Sequence, residues 1–294
     1  MSAVAQLDAL SRAHPEWSAW LRVVREVAAE LSNPAWEAEP PRTVAKSDLA
    51  PLLAGAELRP DGRAVARLLD RLTGVSRAQG LHALAGRSAR GEETSAHEAL
   101  AVFLAALNDD PSALDLRASE TGASPEGFRS LAQLLPMPYL HACARRWAAG
   151  PGAPWSQGYC PVCGAWPAFA EVRGVERSRH LRCGRCGAGW PMPVLACTYC
   201  ATTDHDTLGT LVADDRKSRF GIDVCRGCSG YLKSCTTLQA TPSDEVLALD
   251  LASVEFDLAA VERGFLRPPG PGVALRASVA PADAAPPPAR RWWS

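Results

Sequence analysis

The chain has 294 residues, 47% hydrophobic and 21% charged, with a formal net charge of -1. That composition suits a folded protein with one core and an appended module, or with two domains, and is too apolar for a disordered one. The near-zero charge removes any global electrostatic case for nucleic acid or an anionic membrane as partner. No apolar run reaches the roughly 18 residues of a membrane span, and Asp8, Glu16, Glu26 and Glu30 interrupt the start of the chain. With neither a secretory apolar segment nor a twin-arginine pair there, the expectation is a cytoplasmic protein.

The first half reads as helices. Trp17, Trp20, Leu21, Val24, Ala28 and Leu31 recur at steps of three and four behind Pro15, the spacing of one helical face. Asp61 as N-cap, Val65, Leu68, Leu69 and Leu72 on one face and Gly74 as stop predict a second helix. Ser95 and Glu98 make a capping box ahead of Leu100, Phe103, Leu104 and Leu107, with Asn108 to Pro111 as the end. Ser124-Pro125 opens a helix through Phe128, Leu131, Leu134 and Leu135, and Pro138 opens another through Leu140, Cys143 and Trp147.

Residues 1–150 are therefore expected to form a helical domain, followed by a Gly/Pro-rich linker at 150–158. Eight of the ten cysteines then fall into C-x-x-C pairs: Cys160/Cys163, Cys183/Cys186, Cys197/Cys200 and Cys225/Cys228. One tight turn with this spacing supplies two corners of a tetrahedral thiolate site, and two such turns complete it. Nineteen residues separate Cys163 from Cys183, inside the usual ribbon interval, and twenty-four separate Cys200 from Cys225, slightly longer than typical. Trp166–Arg173 with Ser178–Arg182, and Thr207–Ala213 with Phe220–Val224, are the predicted hairpin arms.

The reading is two metal ions, zinc or iron, each bound by four cysteines. The first ribbon spans 159–194 and the second 195–240, with crossed pairing of the cysteines as the alternative. Glycine follows the second cysteine in the first two pairs, Gly164 and Gly187, but Ala201 and Ser229 stand there in the others, which makes the second site the weaker prediction. The metals serve chiefly as staples for small modules; a rubredoxin-like electron carrier would use the same ligands.

Between 160 and 235 ten Lys and Arg stand against seven Asp and Glu. Two sites at about -2 each offset that excess. A zinc-ribbon nucleic-acid binder using Arg177, Arg179 and Arg182 is thus the disfavoured alternative. His180 reads as a strand residue, Asp204-His205-Asp206 as a polar loop and Cys143 as core, while Cys235 is unassigned. No nucleophile elbow, phosphate loop or dinucleotide fingerprint occurs, so no catalytic residue is assigned. Leu247, Leu251, Val254, Leu258 and Val261 predict one C-terminal helix over 243–265, stopped by Gly264. The Pro/Ala-rich residues 268–294 read as a flexible tail ending in Arg290, Arg291, Trp292 and Trp293. The fold class is α+β: a helical bundle, two tandem zinc-ribbon or rubredoxin-like β modules and a C-terminal helix.

The run Cys160-Pro-Val-Cys163-Gly, Leu181-Arg-Cys183-Gly-Arg-Cys186 with Trp190, Cys197-Thr-Tyr-Cys200 and Cys225-Arg-Gly-Cys228-Ser-Gly-Tyr231-Leu232-Lys233 resembles the bacterial formate dehydrogenase accessory protein family FdhE. The stretch Asp250 to Asp257 and Glu262-Arg-Gly-Phe265 is similar to that family's following helix. The resemblance covers about 160–265, and the family's Asn-Pro segment after the last helix is missing. It implies a non-catalytic cytoplasmic factor that binds the catalytic subunit of a respiratory formate dehydrogenase and is needed for its activity. The eight cysteines would be the metal ligands.

Overall fold

The computed structural model describes residues 2–37, 41, 49–86, 94–149, 155–211 and 219–280. The first half holds helices α1 (Ala3–Ala13), α2 (Ser18–Ala28), α3 (Gly62–Ala78), α4 (His82–Ala85), α5 (Ala96–Leu107), α6 (Pro111–Thr121), α7 (Pro125–Ala132) and α8 (Met137–Ala149), with a short strand β1 (Glu57–Leu58) before α3. The local signals work as cap chemistry requires. The Asp61 carboxylate accepts the Arg63 N–H, Ser95 and Glu98 close their reciprocal box, and Ser124 caps α7 with Pro125 at its first position.

Gly74 does not end α3. It is exposed, whereas Ser76 beyond it is buried and bonds back to the Leu72 carbonyl at 2.7 Å. The helix therefore continues to Gly80, whose φ of +74° makes the stop. Helices α1 and α6 carry no strong sequence signal because each buries only two side chains, Ala3 and Leu7, Leu114 and Ala118.

Six strands form one sheet: β2 (Phe169–Arg173), β3 (Ser178–Arg182), β4 (Gly189–Pro191), β5 (Leu208–Leu211), β6 (Phe220–Cys225) and β7 (Gly230–Thr237), in the order β4-β3-β2-β7-β6-β5. The expected antiparallel hairpins β2/β3 and β5/β6 are present. Strand β7 is the element the sequence concealed. It runs antiparallel to β6 and parallel to β2, joining the two ribbons into a single sheet.

The predicted C-terminal helix is two helices, α9 (Val246–Leu251) and α10 (Val254–Glu262). Fully buried Lys233 on β7 explains the break: its ammonium reaches the Asp250 carbonyl at 2.9 Å and the carboxylates of Asp250 and Asp257 at 2.6 and 2.7 Å. The Ser253 hydroxyl takes the Leu249 carbonyl at 2.9 Å, so the freed end of α9 is satisfied without a continuous helix.

Residues 268–280 are packed, where the composition implied a flexible tail. Leu275 and Ala277 are buried, Asn108 clamps the Ala277 N–H and carbonyl at 2.9 Å each, and β8 (Ser278–Val279) pairs with β1. A segment too poor in apolar residues to build a core borrows one. Residues 281–294, with Arg290, Arg291, Trp292 and Trp293, lie outside the described residues.

One hydrophobic cluster runs from Val27, Leu68 and Phe103 through Leu140 to Cys160, Cys163, Cys183, Cys186 and Trp190. The segments on either side of the expected linker thus share a core. Among the described residues no helix is long and apolar enough to cross a membrane.

Candidate metal centre

The four cysteine pairs converge as two clusters in sequential pairing, Cys160/Cys163/Cys183/Cys186 and Cys197/Cys200/Cys225/Cys228, with the sulfurs of each within 4.8 Å of one another. Four thiolates about 2.3 Å from a tetrahedral metal stand about 3.8 Å apart. The Cys160–Cys186 and Cys163–Cys183 Sγ atoms are 3.4 and 3.5 Å apart in the first cluster, and those of Cys197–Cys228 and Cys200–Cys225 are 3.7 and 3.8 Å apart in the second. Each set therefore has the donors and nearly the spacing to hold one zinc or iron ion.

Turns at the strand ends position these sulfurs. Cys160–Cys163 lies ahead of β2, Cys183–Cys186 follows β3, Cys197–Cys200 follows β4, and Cys225–Cys228 is the turn from β6 into β7. The first three share one backbone pattern. The N–H four residues on bonds back to the first cysteine's carbonyl (Gly164 to Cys160, 3.0 Å; Gly187 to Cys183, 2.9 Å; Ala201 to Cys197, 3.1 Å). Backbone N–H groups also point at sulfur, from Val162 to Cys160 and from Tyr199 to Cys197, each at 3.4 Å, which favours the thiolate form.

The residue after each second cysteine is left-handed whether or not it is glycine: φ is +67° at Gly164, +69° at Gly187, +58° at Ala201 and +55° at Ser229. Glycine is needed at the first cluster for space as well. A Cβ on Gly164 would stand 2.6 Å from the Val273 carbonyl oxygen, and one on Gly187 would stand 2.5 Å from that of Ser243 and 2.7 Å from His141 Cε1. Ala201 and Ser229 are exposed. At these exposed positions the left-handed turn is adopted without glycine.

All four sulfurs of the first cluster are buried. Burial pushes the Cys160 and Cys186 thiols well up, while hydrogen bonds from Cys160, Cys183 and Cys186 hold Cys163 well below the usual thiol value. A divalent cation bound there would stabilise the thiolate forms that burial opposes. Around them the Leu52 and Leu53 N–H groups bond to the Pro161 and Val162 carbonyls at 2.7 and 3.1 Å, and Arg185 reaches the Ala106 carbonyl of α5 at 3.1 Å. His141 of α8 is buried, its Nδ1 without a hydrogen-bond partner, and burial together with the Arg145 charge pulls its pKa down to about 3. These contacts to α5 and α8 were not legible, because nothing local in the sequence pairs position 185 with 106 or 187 with 141.

The arginines held in reserve for nucleic acid are mostly engaged. Arg182 pairs with fully buried Glu171 at 3.2 Å and donates to the Gly187 carbonyl, and Arg179 pairs with Asp223 at 3.3 Å and bonds the Pro193 and Ala196 carbonyls. Only Arg177 of that trio is exposed. His180 lies on β3, and Asp204, His205 and Asp206 form a turn in which Asp206 N–H bonds the Asp204 carboxylate. Neither joins a cysteine cluster. Cys143 and Cys235 are buried outside both clusters.

No family model matches the chain. A stretch of 119 residues is 31% identical to the FdhE homologue of Aquifex aeolicus, covering 38% of this chain and 40% of that one. Stretches of 111 residues are 32% identical to the FdhE homologue of Haemophilus influenzae strain PittEE and 30% identical to FdhE of Escherichia coli O127:H6, covering 36% and 35% of those proteins. The alignments therefore span two fifths or less of these relatives' length. Over 93% of this chain and 94% of the other, the fold matches the crystal structure of the FdhE protein from Pseudomonas aeruginosa, with TM-score 0.57 and 20% identity.

Proposed function

We propose, from the premise that the chain belongs to the FdhE family, that it is a cytoplasmic accessory protein for formate dehydrogenase. It binds the catalytic subunit and is required for that enzyme to become active. Cys160, Cys163, Cys183 and Cys186 would hold one metal ion, and Cys197, Cys200, Cys225 and Cys228 a second. The metals act as framework, and the chain itself performs no catalysis.

The observation that carries this reading is the joint arrangement of eight cysteines as two four-sulfur sites on one continuous sheet. The first set sits in the shared core, where a metal's free energy of binding becomes free energy of folding. The rigid body so formed presents binding surface rather than chemistry. An electron carrier would need iron in at least one site, and a nucleic-acid binder would need free cations that Arg179 and Arg182 do not offer.

A tagged full-length chain is expected to capture the formate dehydrogenase catalytic subunit from cell extract, and deletion of the gene is expected to abolish formate dehydrogenase activity. Full activity in the deletion strain overturns the assignment. Elemental analysis of anaerobically purified protein is expected to give two metal ions per chain, and a visible charge-transfer spectrum would mark iron.

A further inference from the structure

The two clusters differ in which sulfurs solvent can reach. In the first, all four cysteines are at 0% exposure. In the second, Cys197 and Cys225 face inward, but Cys200 and Cys228, one from each turn, are exposed. Both border a largely apolar groove of about 430 Å³ walled by Trp166, Tyr199, Leu266 and Pro268, with Arg267, itself paired with Asp257 at 2.9 Å, also in its lining. The two turns meet the 266–268 segment across this groove. Tyr199 sits inside the Cys197–Cys200 pair and donates to the Tyr231 carbonyl at 2.8 Å, while the Leu266 N–H bonds the Ser229 carbonyl at 2.9 Å.

Oxidation of cysteine follows thiolate character and access. A metal keeps its sulfurs as thiolates, so access decides between the two sites. An apolar groove admits a small uncharged oxidant more readily than a charged one. The Cys200 and Cys228 sulfurs lie within 4.8 Å of each other, near enough for one to resolve the other.

On the reading that both clusters hold a divalent metal, we infer that Cys200 and Cys228 are a reactive pair, oxidised by hydroperoxides to a disulfide that expels the second metal while the first stays bound. One sulfur attacks the hydroperoxide, the O–O bond breaks, and an alcohol or water leaves after taking a solvent proton. The second thiolate attacks the sulfenic acid, the S–S bond forms, and hydroxide leaves and is protonated to water. The pair gives up two electrons, which the hydroperoxide accepts. Cys197 and Cys225 alone are too few to close a tetrahedral site.

The test uses the full chain loaded with zinc under anaerobic conditions, its metal content measured first and hydrogen peroxide then added. Released zinc is followed with a colorimetric chelator and the cysteines by peptide mass spectrometry. The expected result is loss of one zinc of two, a Cys200–Cys228 disulfide, unmodified Cys160, Cys163, Cys183 and Cys186, and recovery on reduction with added zinc. Cys200→Ser and Cys228→Ser proteins are expected to keep the first zinc through the same treatment. Loss of both zincs together, loss of neither, or a disulfide joining other cysteines overturns the inference. A starting protein that takes up fewer than two zincs overturns the two-metal reading itself, a result visible before any oxidant is added.

Discussion

The two four-cysteine sites share a left-handed residue after each second cysteine and differ in what surrounds it. The first is enclosed by α5, α8, the 51–53 segment and Val273, so its turns are part of the core. The second has one side open to solvent, with Ala201, Cys200, Cys228 and Ser229 exposed. Identical local chemistry thus yields a keystone in one place and a peripheral clasp in the other. Burial, not ligand type, makes the difference.

The largest expected effect comes from breaking each site in turn. Structural zinc contributes on the order of 10 kcal/mol or more to folding, comparable with the whole stability of a domain. Cys163→Ser or Cys183→Ser should therefore abolish soluble, cooperatively melting protein. Cys200→Ser should retain helical circular dichroism and a single, lower-temperature transition. If both variants behave alike, the keystone and clasp distinction is wrong.

Glu171 tests how the first site is braced. It pairs with Arg182 and Arg173 and accepts the Thr241 N–H at 3.0 Å. Removing one member of a buried ionic network costs about 3–5 kcal/mol. Urea denaturation of Glu171→Gln should show a loss of that size, and a loss near zero would mean the arginines find other partners.

The glycine contrast is smaller. Gly187→Ala puts a side chain at positive φ and against the Ser243 carbonyl and His141, for about 2–4 kcal/mol of destabilisation. Ala201→Gly, at an exposed position, should shift stability by no more than about 1 kcal/mol. Thermal melts of the two variants side by side give the comparison directly.

The smallest effect, taken per pH unit, is a slope set by one buried group beside the first site. His141 stays neutral in the fold until about pH 3, while an unfolded histidine takes up a proton near pH 6.5. Between those values the unfolded chain binds more protons, so stability should fall as pH drops below about 6.5, by roughly 1 kcal/mol per unit. His141→Leu should flatten that slope, and an unchanged slope would assign it to other groups.

How far the sequence spoke for the fold follows from where each signal originates. The caps at Asp61, Ser95 and Ser124, the two ribbon hairpins and the grouping of cysteines are encoded within a few residues or by spacing, and all were legible. Strand β7 was hidden because Lys233 and Ser234 at its centre look like surface residues until the carboxylates of α9 and α10 are seen around the ammonium. Glycine after the second cysteine suggested a difference in site quality. In the structure it reports the crowding around Gly164 and Gly187, since Ala201 and Ser229 adopt the same turn. The 268–280 segment was misread because composition reports what a segment can bury by itself, not what it can dock against.

The β1/β8 pairing joins Glu57 to Ser278 and Leu58 to Val279, and the β2/β7 pairing joins Phe169 to Lys233. On a ribosome, the helical half and the first ribbon would both emerge long before the strands that complete them. Closure of the core around β1 awaits residues 275–279, so a nascent copy keeps apolar faces open until that segment has emerged.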